Sequence, residues 1–135
     1  MTTADELRRA ALSLPEAEER ETWGHPTFRV RGKMFATLSD DGRSAGVKTT
    51  KEEQIALVAA APETYGVPAY VGRHGWVRVE LASADPAEVR ELVTEAWRQT
   101  APKRLVATYD AEHPVAADPG PATWPGTRGV SRGAG

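Results

Sequence analysis

Two short turns constrain the fold of this chain more than any other feature of its sequence. Gly32-Lys33 and residues 40–43 separate segments that have the composition of strands. Connections this short force neighbouring strands to run antiparallel, because a parallel pair needs a crossover of about a dozen residues. The sequence therefore predicts an antiparallel meander, preceded by a shorter strand at residues 21–23. The strands of the meander are predicted at residues 27–31, 34–39 and 44–48.

Capping residues and apolar spacing predict three helices around this meander. Thr3 and Glu6 have the spacing of a capping box, and Pro86 directly after Asp85 is typical of a helix start. The predicted helices follow Thr3, Thr50 and Asp85 and end at Pro15, Ala61 and Pro102. A second hairpin is predicted from residues 69–71 and 76–81, after a loop at residues 65–68.

The order of these elements indicates the fold class. Helices placed between antiparallel segments are typical of α+β domains in which the helices pack on one face of an antiparallel sheet. The other face of such a sheet is often open to solvent. Alternate strand residues point to opposite faces, and the apolar set is expected to form the core side: Phe28, Val30, Val47, Val77, Val79 and Leu81.

The length of 135 residues suits one domain. The composition changes near Ala107, after which the chain holds four prolines and five glycines. Proline removes backbone donors and glycine is entropically costly to order, so this stretch is a poor core former. We therefore predict a domain over residues 4–106 and a flexible Pro/Gly-rich tail over residues 107–135.

Composition also excludes several kinds of site. The absence of cysteine rules out disulfides and thiolate metal sites, and no apolar run reaches the ~18–20 residues of a membrane helix. Without a recognisable export signal, we expect a cytoplasmic protein that binds no membrane. His25, His74 and His113 lie in separate segments and no catalytic motif stands out, so we expect no metal, no cofactor and no enzymatic activity.

The formal net charge of -2 argues against a wholly basic nucleic-acid binder, but the charge is unevenly distributed. Residues 1–22 hold six acidic and three basic side chains, whereas residues 27–51 hold six basic and two acidic ones. A basic sheet face with an aromatic residue can hold phosphates and stack a base; the same residue types are also common on a face that is only solvated. The candidate nucleic-acid contacts are Arg29, Arg31, Lys33, Lys48, His74, Trp76 and Arg78.

Two blocks of the sequence resemble the MmcQ/YjbR family. The first runs from Trp23 to Ala36 (WGHPTFRVRGKMFA), the second comprises residues 67–70 and 74–79, and Lys103-Arg104-Leu105 also fits. The resemblance covers residues 5–106. It implies a CyaY-like, or frataxin-like, two-layer sandwich and a small bacterial protein described as DNA-binding through a double-wing motif. The family has no agreed catalytic residues to carry over.

Three hypotheses of function follow. The leading one is a non-enzymatic DNA-binding protein that uses the basic open face. The second is a small-molecule-binding protein, with a resistance-related role conceivable, whose pocket at the sheet edge would be aromatic: Trp23, Phe35, Tyr70 and Trp76. The third and least favoured is metal handling by the early acidic cluster: Glu16, Glu18, Glu19 and Glu21. The sequence leaves open the oligomeric state and the type of DNA.

Overall fold

The structure, a computed structural model, describes residues 1–22, 24–68 and 74–112. Its helices are α1 (Ala4–Leu12), α2 (Lys51–Ala60), α3 (Pro86–Thr100) and α4 (Lys103–Glu112). Its strands are β1 (Ala17–Thr22), β2 (His25–Val30), β3 (Lys33–Leu38), β4 (Ser44–Val47), β5 (Tyr65–Gly66) and β6 (Val77–Glu80). The strands form one open antiparallel sheet in the order β1-β2-β3-β4-β6-β5. The predicted α+β class is therefore confirmed.

The helix starts follow the predicted caps. Thr3 and Glu6 form both hydrogen bonds of a capping box, at 2.9 and 3.1 Å. The side chains of Thr50 and Asp85 each accept a hydrogen bond from the backbone N–H three residues further on. Such caps satisfy N–H groups that the first helical turn leaves without partners.

The β2–β3 turn lies one residue earlier than the glycine signal indicated. Arg31 and Gly32 are its central residues, with φ of 53° and 81°, and Lys33 already begins β3. A two-residue turn with positive φ at both positions matches the right-handed twist of the flanking strands. The turn therefore fixes the register of the meander, in which Val30 pairs with Lys33.

Two strands differ from the prediction. β1 spans six residues, so the acidic run predicted as a connection with a short strand is an edge strand paired along β2. Charged side chains on an edge strand oppose pairing with other chains. β5 pairs with β6 at residues 65–66, where a loop was predicted, whereas the strand predicted at 69–71 lies outside the described residues.

The core lies between the sheet and the helices. All six strand residues expected on the core side are buried, with exposed fractions of 0–2 %. α3 packs on β3 and β4 and also against α1. Trp97 of α3 is fully buried, its indole N–H donates to the Pro15 carbonyl at 3.0 Å, and its ring lies 5.2 Å from that of Tyr109.

α4 extends past the predicted domain boundary. The helix continues to Glu112, and Arg98 of α3 forms an ion pair of 2.6 Å with Asp110. Residue 106 therefore lies inside a helix that packs on α3, and residues 107–112 belong to regular structure. The remaining part of the predicted tail, residues 113–135, lies outside the described residues. Within the described ranges, no helix has the length and apolar character needed to cross a membrane.

Candidate nucleic-acid interface

One row of cross-strand partners crosses the face of the sheet opposite α1 and α3. Directly paired residues share a face, and this row alternates with the buried strand residues. From β1 to β5 the partners are Arg20, Thr27, Thr37, Gly46, Arg78 and Gly66. We call this set the open-face row. It has arginines towards both ends and small residues between them.

The small residues of the row are the floor on which two larger side chains lie. A β-carbon placed on Gly46 would come within 2.9 Å of the Thr37 hydroxyl oxygen and 3.7 Å of Cε3 in the six-membered ring of Trp76. A β-carbon on Gly66 would lie 3.4 Å from Nη2 of Arg78. The Trp76 ring and the Arg78 guanidinium therefore lie across positions that have no side chain. A glycine inside a strand is the sequence signal for such close approach.

Arg29 carries a positive charge that no carboxylate neutralises within the described part of the chain. Its guanidinium donates to the hydroxyls of Thr27 and Thr22, at 3.3 and 3.2 Å, and to the Gly32 carbonyl at 3.2 Å. Thr27 is fully buried and donates in turn to the Arg20 carbonyl at 2.8 Å. A guanidinium has five N–H donors, so these three bonds leave two for an external anion.

Arg31 was predicted beside Arg29, but the structure engages it elsewhere. Its guanidinium forms a bidentate ion pair with Glu16, with Nη2 3.2 Å from Oε2. This hydrogen-bonded arginine lowers the pKa of the Glu16 carboxyl below its ordinary value. The pair lines a groove with Arg104 and Thr108 of α4. Glu16 thus offsets part of the charge of Arg31 and directs its guanidinium towards α4, away from Arg29; the spacing of the two arginines in sequence did not indicate this distant partner.

The two lysines of the predicted set lie on different sides of the sheet. Lys33 is the cross-strand partner of the buried Val30, so it lies on the helix-covered side of the sheet. Its side chain is exposed there, next to the β2–β3 turn. Lys48 follows β4, and strand alternation after Val47 places it on the open side. Lys48 is half-buried, and its backbone N–H donates to the Phe35 carbonyl at 3.1 Å.

The segment that carries Trp76 is firmly held. Gly75 has a φ of 92°, and a β-carbon there would lie 2.4 Å from the Thr49 carbonyl oxygen. Thr49 donates its backbone N–H to the Gly75 carbonyl at 3.2 Å, and Gln54 donates its side-chain amide to the Trp76 carbonyl at 2.6 Å. Trp76 is half-buried and His74 is exposed in the same segment. The backbone that carries the indole is therefore held by hydrogen bonds and by close packing.

A carboxylate on the same face partly offsets the charge of Arg78. Its Nη1 lies 3.1 Å from Oε1 of Glu80, and both side chains are about half exposed. Exposed ion pairs of this kind are weak. Glu80 therefore reduces the positive potential at this end of the open-face row without removing the arginine from solvent.

The residues of the other two hypotheses are placed differently. Phe35 is fully buried in the core, whereas Trp23 and Tyr70 lie outside the described residues. The carboxylates of the acidic cluster are mostly paired with arginines: Glu16 with Arg31, Glu18 with Arg20, and Glu19 with Arg8. Over residues 1–22, 24–68 and 74–112 no three His, Asp or Glu side chains cluster as metal ligands would.

The fold and this face define a class: an α+β protein whose antiparallel sheet is covered by helices on one side and presents arginines and a tryptophan on the other. A family model described as YjbR matches residues 12–99, so the chain belongs to the YjbR family. The family inferred from the sequence motifs is thereby confirmed.

Similar proteins come from several bacteria. The chain is 35% identical over 124 residues to the uncharacterized protein Mb2600 of Mycobacterium bovis and equally to the uncharacterized protein Rv2570 of Mycobacterium tuberculosis. Each match covers 81% of this chain and 96% of the relative. The crystal structure of Deinococcus radiodurans protein DR2400 is similar with a TM-score of 0.66 and 25% identity, over 73% of this chain and 78% of that one.

Proposed function

We propose that this protein is a non-enzymatic, cytoplasmic DNA-binding protein that holds the phosphate backbone on the open face of its sheet. The observation that carries the proposal is the arrangement around Arg29. A guanidinium held by three neutral oxygens keeps its full positive charge and its remaining donors for an anion. Phosphate groups are the natural partners of such an arginine.

The charge balance of the open face supports an anionic ligand. Among the residues that the structure describes, strand register and alternation assign four cations to this face, against the two carboxylates of Glu18 and Glu80. The cations are Arg20, Arg29, Lys48 and Arg78. A face with net positive charge attracts nucleic acid even when the whole chain is slightly acidic, because only charges within about a Debye length act on the ligand.

The proposal is tested by fluorescence anisotropy of a labelled DNA oligonucleotide titrated with the full chain. We expect binding at about 50 mM salt. As the salt concentration rises, the logarithm of the binding constant should fall linearly with the logarithm of the salt concentration, because binding releases counterions from the DNA. Replacing Arg29 by Gln should weaken binding severalfold and reduce the steepness of that plot by about one.

Arg31→Gln is the matched control, because it removes the same charge from the same hairpin. Its guanidinium is directed to Glu16 beside α4, away from the open-face row, so we expect a clearly smaller loss of affinity than in Arg29→Gln. A thermal melt of each variant verifies that it is folded. Equal affinity of the Arg29→Gln variant and wild type would remove Arg29 from the site, and absence of binding at low salt would refute the proposed function.

A further inference from the structure

The described surface matches a single strand better than a duplex. Six strands spaced by about 4.8 Å make a face about 24 Å wide, whereas the major groove of B-DNA is only about 12 Å wide. The sheet face is therefore too broad to enter a groove and read the base edges of a duplex. A single strand has no groove to enter, and its bases are free to leave the backbone and stack on a protein side chain.

The turns of the meander are narrow enough for a groove, but acidic side chains in or beside them offset much of the positive charge of Arg31, Lys33 and Arg43. In the β2–β3 turn, Arg31 is engaged by Glu16. The β3–β4 turn carries Asp40 and Asp41, and the Asp41 carboxylate accepts hydrogen bonds from the Ser39 hydroxyl and the Arg43 backbone N–H. These bonds lower the pKa of Asp41 below its ordinary value. The two carboxylates outnumber Arg43, so the turn carries a net negative charge that disfavours phosphates.

Trp76 has the features of a stacking platform. Its ring lies against Gly46 and beside Thr37 on the open face, and the residue as a whole is partly exposed. Its backbone is held by Gln54 and by the close packing of Gly75 on Thr49. Because this backbone is already held in place, ordering it costs little when a base stacks on the ring, which favours binding.

Cations lie on both sides of this platform. The backbones of Arg29 in β2 and Arg78 in β6 are three strand spacings apart, or about 14 Å. Their guanidiniums lie further out, that of Arg29 against Thr22 of β1 and that of Arg78 over Gly66 of β5. Trp76 lies over Gly46 of β4, between them. A strand of nucleic acid that crosses the sheet can therefore place phosphates at the two arginines and a base on the indole between them.

We infer that the ligand of the open face is single-stranded nucleic acid, with one base stacked on Trp76 and phosphates further along the strand, on either side of that base, held by Arg29 and Arg78. This inference rests on the proposed function and adds the strandedness of the ligand and the role of the indole. The stacked base supplies affinity that does not depend on salt, whereas the arginines supply the part that does.

The test compares three labelled probes with the same full-length protein: a thymidine oligonucleotide of about 12 nucleotides, an abasic strand of the same length, and a duplex of about 12 base pairs. At equal salt we expect the thymidine strand to bind at least about tenfold more tightly than the other two. Trp76→Leu should lower affinity for the thymidine strand about tenfold, leave its salt dependence unchanged and hardly affect the abasic strand.

Trp76→Tyr retains an aromatic ring and should restore most of the lost affinity, which separates stacking from a folding defect. If the duplex binds as tightly as the thymidine strand, or if Trp76→Leu weakens all three probes equally, the inference is overturned while the proposed function stands. If none of the probes binds wild type at low salt, the proposed function itself fails.

Discussion

Removing the carboxylate of Glu80 should strengthen nucleic-acid binding. Glu80 lies 3.1 Å from the Arg78 guanidinium, on the face that holds the proposed ligand. A phosphate bound to the other edge of Arg78 would lie about 6 Å from this carboxylate, and two unit charges at that distance in water repel each other by about 0.7 kcal/mol. The Glu80→Gln variant, which keeps the size of the side chain, should therefore bind about threefold more tightly.

The assay is the same anisotropy titration at about 50 mM and 200 mM salt, where screening should shrink the gain at the higher concentration. Glu95→Gln is the control, because Glu95 pairs with Arg98 on α3 at 3.4 Å, away from the open face. It changes the net charge equally and should leave affinity nearly unchanged. A Glu80→Gln variant that binds no better than wild type, or a control that gains as much, would refute the placement of the ligand beside Arg78.

Three further predictions concern the scaffold, each measured by urea unfolding. Tyr65→Phe removes the 2.6 Å hydrogen bond from the Tyr65 hydroxyl to Glu88 and should cost about 1–2 kcal/mol. Burial raises the pKa of the Tyr65 hydroxyl above its ordinary 10.0, so this hydroxyl ionises at lower pH in the unfolded chain than in the folded one. The stability of the wild type should therefore fall as the pH rises above about 10. A Tyr65→Phe variant that loses as much stability at alkaline pH would contradict this. Trp97→Ala should cost about 3–5 kcal/mol, and a loss below about 1 kcal/mol would show that the indole is not central to the core. Gly75→Ala should cost about 2–4 kcal/mol, more than Gly24→Ala at a similar φ of 87° in open space, and equal losses would refute the close packing of Gly75 on α2.

Local signals in the sequence were sufficient for most of the scaffold. The caps at Thr3, Thr50 and Asp85 form as predicted, because their hydrogen bonds need only residues a few positions away. The alternation in β2 and β6 identified the buried strand residues, because burial on one face of a sheet imposes a period of two.

The edge strands could not be predicted in the same way. β1 contains one apolar residue, Ala17, and its burial does not alternate. It is held instead by pairing with β2 and by ion pairs such as that of Arg8 in α1 with Glu19. β5 has only two residues and depends entirely on its pairing with β6. Both strands arise from contacts distant in sequence, which local patterns do not contain.

The candidate site was predicted only in part, because it too depends on contacts between residues distant in sequence. Arg29 and Arg31 are equivalent in a period-two pattern, yet the left-handed turn at Arg31 brings it to Glu16, while Arg29 lies among threonines. The close approach at Gly46 was not anticipated, because it depends on Trp76, which precedes β6 and is distant in sequence. Pairing across strands, rather than residue type, decides which cations remain available to a ligand.

The most direct test of the open-face site is an NMR titration of the uniformly nitrogen-15-labelled full chain with a thymidine oligonucleotide of about 12 nucleotides. Amide shifts report the bound surface without any substitution. Perturbations are expected along the open-face row and at the Trp76 indole N–H, with amides of α1 and the buried Trp97 indole unaffected. Perturbations confined to the helix-covered side, or spectra unchanged at saturating oligonucleotide, would contradict nucleic-acid binding by the open face.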